Sequence, residues 1–342
     1  MFNKNTMATF FILIIPIVII VIGVDLINIR LLNRLAIILC INMILVLGLQ
    51  SFMGNSGILS FAHIGFMGVG AYTSALLAMP LRMKSMALPD LYLMLKTIEI
   101  SPYLAIFIGG LVAALLAATI SYPLMRLSDA AAVITSFALL VVLHTVMVHW
   151  SAVTNGPRTL FGIKAITDIY LAGGVAIVML FLTLLYKESR YGLLLRAVRD
   201  DQVAASAIGA NLSKLRWIGF IISAFMAGIA GGIWAHFITS FSPNAFYLKE
   251  TFVILGMLVI GGTTTVTGAV IGTIAVSVVF DGLRAIENMI NMAQMFPKPI
   301  VGMTEVVLAI AMIATLILRP GGITGSLEVG CWPSIKKRLY HR

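Results

Sequence analysis

Charge is scarce in this sequence. Asp, Glu, Lys and Arg make up 11% of its 342 residues against 60% hydrophobic ones, and the mean hydropathy is +1.06. A soluble domain carries about 25% charged residues, so a water-soluble fold is excluded. Alternating segments of roughly ten residues, the signature of a transmembrane β-barrel, are absent as well. Cysteine is nearly missing: Cys40 in an apolar run and Cys331 near the C-terminus have neither the number nor the spacing for a metal centre or a disulfide framework. No G-x-x-x-x-G-K-S/T, H-E-x-x-H or G-x-S-x-G stretch occurs. That removes the phosphate loop, the zinc-protease helix and the serine nucleophile elbow. Acidic residues near the apolar runs are few, and Asp25, Asp129, Asp281 and Glu305 fall near predicted ends. A proton- or sodium-driven carrier is expected to hold carboxylates near the midplane. Energy is therefore expected to arrive through a partner, with no cofactor bound by this chain.

What the sequence has in abundance is apolar runs near the roughly 20 residues a helix needs to cross a bilayer. Ten candidate helices cover 7–28, 35–53, 58–79, 102–124, 130–150, 169–187, 216–240, 249–262, 266–284 and 300–318. The expected fold class is an all-α integral membrane protein of about ten transmembrane helices. Of these, 58–79 and 249–262 are Gly-dense or short, as broken or re-entrant helices are. The first run is too long for a signal peptide and lacks its small-residue cleavage site, so it is read as a span. Residues 1–325 are expected to form one transmembrane domain and 326–342 a basic cytoplasmic tail.

The net charge of +10 sits in short loops, where Lys and Arg orient a bundle and meet anionic lipid; nucleic acid is not an expected partner. The most polar interval, 187–216, carries Lys187, Arg190, Arg196, Arg199, Lys214 and Arg216, which places it in the cytoplasm. The tail, with Lys336, Lys337, Arg338 and Arg342, follows on the same side, and alternation puts both termini inside. Arg30 and Arg34 oppose this by falling outside. The 23 basic residues divide 13 inside to 10 outside, so the orientation rests on the two dense clusters.

Residues 54–74, GNSGILSFAHIGFMGVGAYTS, place Asn55, Ser56, Ser60 and His63 amid apolar neighbours. Read as a helix from 56 to 74, they bring Ser56, Ser60, His63, Met67, Gly70 and Ser74 onto one face. Polar groups facing hydrocarbon cost a few kcal/mol each, so this face is either a path lining or an interhelical contact. For His63 a packing or positioning role is expected. Gly70, Ser74 and Ala78 form a small-residue ladder suited to close helix contact. GGTTTVTGAVIG, 261–272, echoes the Gly-hydroxyl start, either as an internal repeat of interrupted helices or because Gly and Thr are common in spans.

Within 187–216, Asp201 is placed to cap a short helix over 202–208, Gly209 to stop it in the left-handed conformation, and Asn211 or Ser213 to start the next. Ala204, Ala205 and Ile208 lie on one side and Gln202 and Ser206 on the other. Such a helix suits docking into a groove on a soluble partner, or is a plain interfacial loop.

Four stretches carry a resemblance: GNSGILSFAHIGFMGVGAYTSALL, RYGLLLRAVRDDQVAASAIGANLSKLRWIGFIISAFMAGIAGGIWAHF, SPNAFYLKETFVILGMLVIGG and LRPGGITG. Over about residues 35–325 the chain resembles the permeases of branched-chain amino-acid ABC importers, of the LivM type. Similar members import urea, amides or aromatic acids. The resemblance implies half of a translocation path for a small polar metabolite, by default a branched-chain or other hydrophobic amino acid. It implies a second, LivH-like permease, an extracytoplasmic substrate-binding protein and two cytoplasmic ATP-binding subunits that hold ATP and Mg. It also implies a multi-pass protein of the bacterial inner membrane.

Carried onto this sequence, Arg196 through Gly209 become the segment that couples to the ATPase, with Ala205 and Gly209 at the family's Ala and Gly positions. Arg196, Arg199, Asp200, Asp201, Ala204, Ala205, Ile208 and Gly209 are its expected contacts. Asn55–His63 matches the family's Gly-rich polar segment. GGTTTVTGA replaces the more usual GGLGSLWGP and loses its last glycine-proline turn, so the geometry near 263–269 is expected to depart from the pattern. The rival readings are a self-contained channel or secondary transporter and a receptor-like scaffold.

Overall fold

The computed structural model describes residues 4–293, 302–319, 321–325 and 328–331. From the N-terminus the helices are α1 (Lys4–Ile27), α2 (Arg30–Ser56), α3 (His63–Ala78), the short α4 (Leu81–Ala87) and α5 (Leu93–Lys96), and α6 (Pro102–Leu124). Next come α7 (Asp129–His149), the short α8 (Ser151–Thr154), α9 (Ile169–Glu188), α10 (Arg190–Asp200), α11 (Gln202–Ala207) and α12 (Leu212–Ile238). The chain closes with α13 (Leu248–Gly261), α14 (Val266–Met292) and α15 (Met303–Leu318). Eight of these helices are long and apolar enough to cross a membrane, and α3 and α15 are shorter apolar helices. Among the described residues extended pairing is confined to one isolated bridge, Leu160 with Phe241.

A helix stands at each of the ten expected positions, eight of them long and apolar enough to span and two shorter, with three differences. The third begins at His63 rather than 58, because α2 runs on to Ser56 and residues 57–62 are not helical. The ninth continues to Met292, well past 284. Within 187–216 lies a helix that the reading left out, α10, amphipathic and capped by Ser189, whose Oγ accepts from Gly192 N at 3.2 Å. Of the expected tail, Glu328–Cys331 are described and the other residues lie outside the described set.

The centre of the bundle is α12, which packs most extensively against α6, α3 and α2. The reason is in its sequence, where Gly228, Gly231 and Gly232 remove the side chains that would hold neighbours away. A Cβ at Gly228 would stand 2.7 Å from Ala113 Cβ and 3.0 Å from Gly109 O, and one at Gly109 would stand 2.7 Å from Gly70 O. So α3, α6 and α12 meet backbone to backbone at three glycines. One turn along α3 from Gly70, Ser74 bonds His236 of α12 at 3.0 Å. By contrast α1 is mostly exposed along its length, as a helix at the lipid boundary should be.

The loops sort into two ends. At one end α2, α6, α9 and α13 finish and α3, α7, α12 and α14 begin, and α10 and α11 lie there. At the other are α4, α5, α8, the Leu160–Phe241 bridge and a Lys164–Glu99 ion pair of 2.7 Å.

Gly228→Val should lower the thermal unfolding midpoint in detergent by several degrees, since overpacking a closed core costs about 1–3 kcal/mol. Gly174→Ala serves as the control: its Cβ would meet nothing within 4 Å, and the midpoint should hold or rise. An unchanged midpoint in Gly228→Val would contradict the close approach.

Candidate coupling site at two interrupted helices

Two helix-to-helix turns, called breaks below because each ends one helix and starts the next, lie side by side at the α10 end. The first separates α2 from α3: Gly57 adopts φ 75° and ends α2, and Ser56 Oγ accepts from Ile58 N at 3.2 Å. Further along, Phe61 N is taken up by Ser136 Oγ of α7 at 3.2 Å. The second break separates α13 from α14 at Gly262, whose φ of 125° only glycine adopts without strain. Thr265 caps α14 by accepting from Gly268 N at 3.0 Å. The breaks touch, for a Cβ at Gly54 would stand 2.5 Å from Thr263 O.

The C-terminal segment completes the second break. Ile323 N donates to Ile260 O at 2.9 Å, and Thr324 Oγ1 donates to Gly261 O at the same distance. The Glu328 carboxylate accepts from Val266 N at 2.8 Å and Thr267 N at 3.0 Å, the free amides of α14's first turn. Glu328 is also ion-paired with Lys187, at the end of α9. Burial by itself would raise the Glu328 pKa, but the Lys187 charge and the hydrogen bonds from Lys187 and Thr267 outweigh it and hold the carboxyl below the ordinary range.

Cations from the α9–α10 region reach both breaks. Arg199, on α10, donates through Nη1 to Gly54 O at 2.8 Å and through Nε and Nη2 to Asp200 at 3.1 and 3.0 Å. Its aliphatic stem passes where a side chain at Gly57 would be, 2.8 Å from the position of a Cβ. Lys187 donates to Thr264 O at 3.2 Å, and Arg196 Nη2 donates to Lys187 O at 2.8 Å. So α10 holds a carbonyl at the first break through Arg199, the end of α9 holds one at the second through Lys187, and Arg196 of α10 ties the two together.

Beyond it, Asp201 caps α11 by accepting from Val203 N at 2.8 Å and Ala204 N at 3.0 Å, Gly209 turns with φ 84°, and Asn211 caps α12 by accepting from Lys214 N at 3.0 Å. Ala205 is 3% exposed and packs on Leu195, Val198 and Leu215, so it anchors α11 from beneath. The exposed apolar face is Val203 (79%), Ala204, Ala207 and Ile208 (73%). Gln202 donates to Asp129 at 3.0 Å, and Asp129 also pairs with Arg216 at 2.6 Å, tying α11 and α12 to the start of α7.

The four polar residues expected on one helix face are divided by the first break. Asn55 and Ser56 close α2, Ser60 lies in the irregular stretch and His63 opens α3, all buried. His63 Nε2 is 2.8 Å from Ser223 Oγ on α12, with its ring against Phe52 and Phe220, a packing arrangement. Asn55 Nδ2 donates to Ser51 O at 2.8 Å. Gln50 (both side-chain ends), Asn55 Oδ1, Ser60 Oγ and His63 Nδ1 have no hydrogen-bond partner among the described residues. Buried polar groups without partners are uncommon, and each costs about 1–3 kcal/mol. No group of three or more His, Cys, Asp or Glu side chains converges for a metal among the described residues.

The profile of the branched-chain amino acid transport system / permease component family matches residues 29–316. The chain belongs to this family. Similar curated permeases include the probable branched-chain amino acid transport permease protein LivH of Methanocaldococcus jannaschii, 26% identical over 321 residues that cover 86% of this chain and 91% of that one. The high-affinity branched-chain amino acid transport system permease protein LivM of Escherichia coli K12 is 26% identical over 65% of this chain and 56% of its own. The guanosine ABC transporter permease protein NupQ of Bacillus subtilis is 32% identical over 28% of this chain and 30% of its own. No solved structure matches.

The sequence reading of this permease missed Lys187, Asp129, Arg216 and Glu328 as connectors. A Glu on the polar side of LRPGGITG and a Lys at a span's end were visible, but their meeting across 141 positions was not.

Glu328→Gln should destabilise the permease by about 2–3 kcal/mol at pH 7, because Lys187 stays buried without its counter-charge. The sign with pH follows from the lowered pKa. The carboxylate's contribution is present above the unfolded value of about 4.3 and is lost as pH falls through the lower folded value. Thermal midpoints of the two proteins should therefore differ at pH 7 and converge below about pH 4; a gap independent of pH would contradict the ion pair.

Proposed function

We propose that the chain is the membrane permease subunit of an ATP-driven importer and forms half of a path that alternates between outward- and inward-facing states. One observation carries this reading: α10 bonds the Gly54 carbonyl at the first break while its neighbour Lys187 bonds the Thr264 carbonyl at the second, and α11 presents an apolar face beside them. A soluble subunit pushing on Val203, Ala204, Ala207 and Ile208 would move α11 and α10 together, and with them the α2–α3 and α13–α14 turns. Free energy enters as the different affinity of ATP for the two states. ATP and Mg sit in two cytoplasmic ATP-binding partners, cargo comes from an extracytoplasmic binding protein, and a second, LivH-like permease completes the path. On this reading the protein lies in the bacterial inner membrane with the α10 end and both termini in the cytoplasm.

The unpartnered atoms of Gln50, Asn55 and Ser60 support a place for the first break on the path, with His63 holding α12 beside it. The proposed cargo is a branched-chain or other hydrophobic amino acid. The NupQ relative favours a second reading in which the cargo is a nucleoside.

Ile208→Arg and Val203→Glu are expected to release the ATP-binding subunits or cut uptake at least about tenfold, with normal yield of the folded chain. Arg199→Met should keep the subunits bound while ATP hydrolysis continues and uptake falls. Wild-type uptake in all three variants would overturn the docking role, and purification of the chain free of any nucleotide-binding partner would favour a self-contained channel.

A further inference from the structure

A cavity of about 160 Å³ lies where α2, α3, α12, α13 and α14 converge. Three helices present one face each to it. On α14, Ser277, Asp281 and Arg284 recur at steps of four and three; on α13, Glu250 is followed by Val253, Ile254 and Met257; on α2, Asn42 stands one turn from Leu39 and Leu45. This periodicity puts acid, base and amide on the walls of one space, with an apolar surface between them.

The most buried of its polar side chains lacks a partner. Ser277 is 6% exposed, and its Oγ has no hydrogen-bond partner among the described residues. Glu250, Asp281 and Arg284 enter no ion pair within 4.0 Å among the described residues, although all three line the same cavity. A buried hydroxyl is ordinarily paired, and Ser277 is not. The half-buried Glu250 and Asp281 and the exposed Arg284, whose guanidinium lies 5.1 Å from the Phe280 ring centroid, border the same space, which leaves polar and charged groups around room for something that arrives. Depth agrees with that. Ser277 is the twelfth of the 27 residues of α14 and Asn42 the thirteenth of the 27 of α2, which puts both halfway across the bundle. Transporters hold their cargo near the midplane, between helices.

We propose that this cavity is where the permease subunit contacts its cargo, and that its charges select a small zwitterion. Arg284 takes the carboxylate, Glu250 and Asp281 take the ammonium group, Ser277 and Asn42 complete the hydrogen bonds, and the apolar walls take the side chain. A neutral nucleoside would leave both signs of charge uncompensated when it displaced water. It is also large for a space well under the roughly 300–1,000 Å³ of pockets for drug-sized ligands. This assignment rests on the import reading and adds to it the cargo class and the residues that meet it.

The test uses the complete transporter in proteoliposomes, with L-leucine and guanosine as probes. Ser277→Cys is labelled with a small aqueous thiol reagent in a background in which both native cysteines are removed, Cys40→Ala and Cys331→Ser, and L-leucine should slow labelling at least about fivefold while guanosine does not. Protection by guanosine alone overturns the zwitterion class, and protection by neither overturns the site. In parallel, Arg284→Gln and Glu250→Gln should each lower leucine uptake at least about tenfold, with ATP hydrolysis stimulated by the loaded binding protein held within about twofold. Unchanged uptake, or uptake and hydrolysis falling together, would overturn the cargo role. If leucine protects Ser277→Cys but ATP drives no uptake in the parent protein, the import reading fails and the site stands.

Discussion

A buried backbone amide or carbonyl left without a partner costs several kcal/mol, and this chain places such groups at two helix-to-helix turns of the α10 end. Everything at the α10 end follows from how those groups are satisfied. Ser56 and Thr265 take local amides with their own hydroxyls, which is the short-range solution. The remaining groups are met from far away in the chain: Gly54 O by Arg199, Thr264 O by Lys187, and the first amides of α14 by Glu328. Because the two donors, Arg199 and Lys187, come from α10 and the end of α9, and the acceptor Glu328 is ion-paired with Lys187, the requirement to pair backbone groups joins the breaks to that segment.

The joint is stiff where it needs to be. α11 is capped at its start by Asp201 and held from beneath by Ala205, so a force on Val203 or Ile208 reaches α10 through packed atoms rather than through a slack loop. On the far side, α3, α6 and α12 touch at Gly70, Gly109 and Gly228, which gives the bundle a tightly packed centre. Beside that centre the backbone leaves the helical region at Gly57 and Gly262, where only glycine adopts the required φ without strain.

The division of roles differs from the one a single helix face suggests. Ser56, Ser60 and His63 share a face only if the helix is unbroken; once Gly57 turns the chain, Ser60 belongs to the break and His63 to the contact with Ser223. The charges lining the cavity tell the same story from another direction. Asp281 and Arg284 look terminal when the ninth span is taken to end at 284, but α14 continues to Met292, so they lie well inside it. Glu250 is third in α13 and faces the cavity with Val253 and Ile254, a placement that depends on which neighbours α13 packs against.

Composition and local pattern were enough for the all-α membrane class, the ten apolar helices, the caps at Asp201 and Asn211 and the left-handed turn at Gly209. Each of these depends on hydropathy over one span or on side chains reaching backbone groups within a few residues. The likeness between 54–74 and 261–272 was also visible, as a shared Gly-hydroxyl pattern. What only the tertiary structure decided is that these two segments lie against each other, that Arg199, Lys187 and Glu328 bind them together, and that Glu250, Asp281 and Arg284 face one space. Those facts rest on contacts between residues tens to hundreds of positions apart, and no local propensity or periodicity encodes which distant carbonyl a given cation will reach.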